Sequence, residues 1–186
     1  MNFKTLSIAT LLVSSFCLSA ASSAEVMPES PKHKEIRIEN TLNELFTRAM
    51  NTAAVKLDQT KVIEPFAIIK RIDGSLGVFE LDQSADKKQL TVNNQHLSIR
   101  RLLRELAFEK QITASIQVMY ALVQEEGKEQ RQGLTFELEH QSGVSLIRFL
   151  PVSEQIDKED EANNKWVFEI ELLSTSIKPR TVFSIL

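Results

Sequence analysis

The chain predicts an α+β domain: two helices packed on one face of a twisted antiparallel sheet of five to six strands, in the order α-β-β-α-β-β-β-β, behind a cleaved signal peptide. Three observations predict it. Two segments carry apolar residues at helical spacing, much of residues 112–172 alternates apolar and polar side chains, and short polar breaks separate the runs. Breaks of a few residues make sequence neighbours antiparallel. A sheet and two helices then bury their apolar faces most simply as two layers.

Residues 1–24 read as an address. Lys4 gives a positive start, Leu6 to Leu18 is apolar, and Ser22 and Ala24 stand at the minus-three and minus-one positions of a cleavage site before Glu25. The apolar run is too short for a membrane-spanning helix, which needs roughly 20 residues. The bulky Phe16 before Cys17 speaks against a lipid-anchored processing site. Residues 25–34 hold two prolines and mostly polar side chains and read as a flexible leader, so the single domain is expected over 35–186.

The first helix is expected over 36–57, where Ile38, Leu42, Leu45, Ala49 and Ala53 form one stripe and Phe46, Met50 and Leu57 widen it. Glu64–Arg71 and Ser75–Leu81 flank Asp73-Gly74 and predict a hairpin. Polar residues 82–94 read as a loop. A second helix is expected from about His96 or Ser98 to Lys110, capped by Asn94 or Ser98, with Ile99, Leu102, Leu103, Leu106 and Ala107 inward. Strands follow at 112–122, 134–139, 144–152 and 166–172, broken by the polar stretch 125–132, by Ser142-Gly143 and by the charged loop 154–164. Thr181–Leu186 is expected to add an edge strand or tuck against the core. A helix lying on a curved antiparallel sheet is similar in layout to the small cystatin-like and nuclear-transport-factor-like cones, a likeness that assigns no function.

Composition narrows the chemistry. Without residues 1–24 the 186-residue chain keeps 162 residues, enough for one core without staples. Its only cysteine, Cys17, lies in the leader, which removes disulfides, thiol catalysis and cysteine metal ligation from the mature chain. With no Asn-x-Ser/Thr sequon either, a bacterial periplasm is the expected compartment. The 22 basic and 25 acidic residues give −3, and loss of Lys4 leaves −4, which does not suit a nucleic-acid binder. No stable membrane insertion is expected after cleavage.

Catalytic motifs are scarce. No nucleophile elbow, P-loop or dinucleotide fingerprint occurs, so no cofactor is expected. His33, His96 and His140 lack the spacing of a metal site, and the acidic run Asp157, Glu159, Asp160, Glu161 lacks the glycine of a calcium loop. Arg100 and Arg104 stand one helical turn apart and are a candidate anion grip. Glu137, Glu139, Glu169 and Glu171 occupy alternate strand positions, so paired-carboxylate glycan hydrolysis is one reading of the chain. A pocket lined by Phe46, Met50, Tyr120 and Trp166, holding a small ligand or lipid, is another.

The leading expectation is a non-enzymatic exported module that contacts another protein or itself, as inhibitor, immunity factor or assembly accessory. Several strands are apolar on both faces: Ala67 and Ile69 back Phe66 and Ile68, and Met119, Ala121 and Val123 back Val118, Tyr120 and Leu122. Ile69, Met119, Ala121, Val123 and Arg148 are the expected contact residues. The C-terminal strand is the second candidate contact.

Overall fold

A computed structural model describes residues 30–81, 91–124, 129–155 and 165–184. The leader 1–24, the loop 82–90, the break 125–128 and the acidic run of 157–161 lie outside the described residues.

Helix α1 spans Pro31–Thr60. Ser30 caps it by accepting the His33 N–H at 3.3 Å, and Pro31 sits where a missing N–H costs nothing. The helix therefore begins inside the segment read as a leader, because a Ser-Pro start outweighs the polar composition that follows. Leu42, Leu45, Ala49, Ala53 and Leu57 are buried, matching the expected stripe. Strands β1, Phe66–Arg71, and β2, Leu76–Glu80, form the expected hairpin. Asp73 Oδ1 accepts the Ser75 N–H at 2.8 Å and hydroxyl at 2.7 Å, and Gly74 supplies the φ of +85° that closes the turn. Helix α2 runs over Val92–Phe108 and starts earlier than expected, because Thr91 is the cap and accepts the Asn94 N–H at 3.3 Å.

Strands β3, Ile112–Val123, β4, Arg131–His140, and β5, Ser145–Gln155, form the centre of one antiparallel sheet. Strands β6, Lys165–Phe168, and β7, Ser174–Ile177, complete it. The order is β2-β1-β3-β4-β5-β6, with β7 also on β5, so the sheet has seven strands rather than five or six. Strand β6 pairs with Val152–Gln155 and β7 with Leu146–Phe149. Pro151 lies between the two stretches. Its carbonyl accepts the Glu169 N–H at 3.0 Å, and it has no N–H to return on the same side. The expected strand at 166–172 thus stops at Phe168. Ile170–Leu172 makes a 3-10 turn, and the chain pairs again beyond the proline.

The α+β class and the antiparallel sheet stand as expected. The helices, however, lie on opposite faces. Phe66 and Ile68 pack with Leu42, Leu45 and Ala49 of α1, whereas Ala67 and Ile69 pack with Ile99, Leu103 and Ala107 of α2. Successive strand residues point to opposite sides, so each apolar phase of β1 receives its own helix. Over its described residues 181–184 the C-terminal segment tucks back instead of adding a strand, and Val182 and Phe183 are buried against the α2 core.

Candidate functional site

The α2 side of the sheet has three regions. Under α2 lie Ala67, Ile69, Ser115 and Gln117, all buried, and Gln117 Nε2 donates to the His96 carbonyl at 2.6 Å. Beside them stands a charged cluster built from β4, α2 and the C-terminal segment. Arg100 Nη2 donates to Glu137 Oε2 at 2.7 Å, and His96 Nε2 stands 3.7 Å from Glu137 Oε1. Lys178 Nζ bridges the two carboxylates, at 3.2 Å from Glu137 Oε2 and 2.7 Å from Glu139 Oε1.

Glu139 is 1% exposed and faces the protein's own tail. One carboxylate oxygen accepts from Lys178, the Thr181 hydroxyl and the Thr181 N–H, and the other from the N–H groups of Val182 and Phe183. Burial pushes its pKa up, but Lys178, Thr181 and the Val182 N–H outweigh burial and hold it below the ordinary carboxylate range. Burial, helped by Arg100 and Lys178 and opposed by Glu137, holds His96 below the usual imidazole value.

Among the described residues, the third region carries neither α2 nor the tail. Met119, Ala121 and Val123 of β3 share this face with Ile147 and Phe149 of β5, and all five are half-buried. Register sets Met119, Thr135 and Phe149 in one row and Ala121, Gly133 and Pro151 in the next. A Cβ on Gly133 would lie 2.8 Å from the Phe149 ring and clash with the Leu150 carbonyl, so the ring sits against bare backbone. The resulting apolar shelf ends at a small pocket lined by Val123, Phe149, Pro151, Leu172 and Ser174 together with the charged Glu129 and Arg131.

The expected contact residues divide. Met119, Ala121 and Val123 come together on the shelf. Ile69 does not join them, because α2 covers it and leaves 1% exposed. Arg148 lies on the α1 side, where its guanidinium carbon stands 4.5 Å above the Phe46 ring and Nη2 donates to Asn43 Oδ1 at 3.4 Å. Arg100 and Arg104 do not converge on an anion: Arg100 is committed to Glu137, and Arg104 Nε donates to the Thr181 carbonyl. Phe46, Met50, Tyr120 and Trp166 pack around the α1 core, with Phe46 edge-on to Phe136 at 5.0 Å and the Tyr120 hydroxyl donating to Gln132 Oε1. Among the described residues no group of three or more His, Cys, Asp or Glu gathers as metal ligands.

Lys178, Ile147 and Phe149 stand outside the site residues expected from the sequence. Nothing in a Lys-Pro pair far from β4 points to a carboxylate partner. Ile147 and Phe149 show in the sequence only as a second apolar phase, alternating with Leu146 and Leu150. Compared with known proteins, the chain matches no family model, no curated protein and no solved structure.

Proposed function

We propose that the chain is an exported, non-enzymatic binding module that docks another protein on the shelf of Met119, Ala121, Val123, Ile147 and Phe149. The observation that carries this reading is the half-buried state of those five apolar side chains, on a part of the face that α2 and the described tail leave uncovered. Strand β7 extends the surface: all four of its residues are exposed, and Ile177 is 87% exposed. An edge of this kind offers unpaired backbone groups to a partner strand. Export rests on the leader at residues 1–24.

Paired-carboxylate hydrolysis loses support, because Glu137 and Glu139 are held in ion pairs and Glu139 is closed off by the chain's own tail. A photo-cross-linking residue at position 121, compared with one at the exposed Val55 of α1, tests the docking reading. A discrete cross-linked protein from position 121 alone, abolished by Phe149→Arg, is the expected result. Equal cross-linking at both positions, or none at 121, rejects it.

A further inference from the structure

At the end of the molecule where α1 begins, a groove of ≈ 480 Å³ opens between α1, the β1–β2 turn, the end of α2 and the β4–β5 turn. Lys34, Arg37 and Ile38 line it from α1, Ile72 from the hairpin, Lys110 from beyond α2, and His140 from the end of β4. No carboxylate is among its described lining residues, although the chain as a whole is net negative. That size admits a small molecule.

The groove is built on pinned loops. The Ile72 N–H donates to the Gln111 carbonyl at 3.1 Å and the Gln141 N–H to the Thr113 carbonyl at 2.9 Å, fixing both turns to the start of β3. The His140 ring is also oriented. The Ser142 backbone N–H, which can only donate, points at His140 Nδ1 at 3.0 Å, and Ser142 Oγ lies 2.8 Å from the same nitrogen. Nδ1 is therefore an acceptor, and the proton of the neutral ring resides on Nε2. Burial, with Arg37 and Lys34 adding to it, lowers the His140 pKa and favours that neutral form. The imidazole thus registers the positive field of the groove and carries a fixed N–H donor.

We infer that this groove binds a small phosphate monoester bearing an apolar group, through Lys34, Lys110 and the His140 Nε2–H, with Ile38 and Ile72 against the apolar part. Two ammonium groups and a neutral N–H donor exceed what one carboxylate requires and match the two charges of a phosphate monoester. Ile72 is 73% exposed, so its surface gains cover from the ligand body. The site is separate from the docking shelf and stands or falls without it.

Phenyl phosphate titrated into the full chain, followed by backbone amide NMR shifts, tests this. The amides of Lys110, Gln141 and Ser142 are expected to move with saturation, more tightly than with inorganic phosphate or phenol. The double variant Lys34→Ala/Lys110→Ala is expected to weaken binding about tenfold, and Lys61→Ala, at the far end of α1, to leave it unchanged. No saturable shift at those amides, equal binding by phenol, or an unaffected double variant overturns the inference. Thermal unfolding of the double variant confirms that it is folded. Sedimentation with phosphatidylglycerol vesicles separates the two sources of the same chemistry. Co-sedimentation lost in the double variant assigns a lipid headgroup, and a chain left in the supernatant that binds phenyl phosphate assigns a soluble ligand.

Discussion

Glu139 concentrates more polar partners than any other described side chain, and its cost and value follow from that. A carboxylate at 1% exposure is tolerated only when its oxygens are saturated, and here five hydrogen bonds reach it. Glu139→Gln removes the charge while keeping the shape, and is expected to cost about 2 kcal/mol in urea unfolding at neutral pH, the range for hydrogen bonds to a charged group. The pH dependence gives a sharper test. The folded pKa of Glu139 is depressed from 4.5, so its contribution is complete above that value and is lost as pH falls through the folded pKa. His96 and His140 are also depressed, from 6.5, so the unfolded chain takes up protons at these groups first and stability starts to fall near pH 6.5. The wild-type profile should therefore decline in two stages. In Glu139→Gln the stage below about pH 4.5 should flatten while the earlier stage persists. A variant that keeps both stages would remove Glu139 as the lower titrating group.

At the scale of elements, the sheet is shaped as much by residues without side-chain bulk as by its apolar ones. Gly133 allows the β4–β5 pair to close under the Phe149 ring, and a methyl there would clash with the Leu150 carbonyl. Gly133→Ala is expected to cost about 1–3 kcal/mol, the range for forcing volume into a packed site, and to tilt Phe149 off the shelf. Urea unfolding measures the first effect and loss of cross-linking from position 121 the second. Strand parity made most of these elements legible from the sequence. The hairpin turn at Asp73-Gly74, the core phase of β4 and the stripe of α1 are local patterns, and each appears where its pattern stands. What periodicity does not encode is which side of a sheet a helix chooses. The two apolar phases of β1 carry a signal for cover on both faces, and reading one of them as an open surface placed Ile69 wrongly in the contact set. The caps Ser30 and Thr91 and the ladder break at Pro151 are single-residue events that an averaged pattern hides.

For the whole molecule, one sheet separates two cores of unequal size. The α1 core runs from Leu42 to Val152 and takes residues from β1, β3, β4 and β5. The α2 core draws its buried residues from β1, the start of β3, one helix and the two tail residues Val182 and Phe183. The tail holds that smaller core shut from outside, with Phe183 fully buried and the Glu139 cluster fixing the backbone beside it. Units of lower local stability open without global unfolding, so α2 and the tail are expected to exchange amide hydrogens through a sub-global opening that leaves α1 and β4 protected. Leu45→Ala in the α1 core tests this order. Truncating a buried leucine costs about 3 kcal/mol, which is roughly a hundredfold in an opening equilibrium. The α1 core stays closed in the sub-global opening, so exchange of the Ile99, Leu103 and Ala107 amides should keep its rate under native conditions. The amides of Leu42 and Phe136, which exchange through global unfolding, should accelerate by that factor, provided the variant stays folded. Uniform acceleration across both groups would show instead that the two cores open as one, and the tail would then be a part of the central fold rather than the latch of a separable layer.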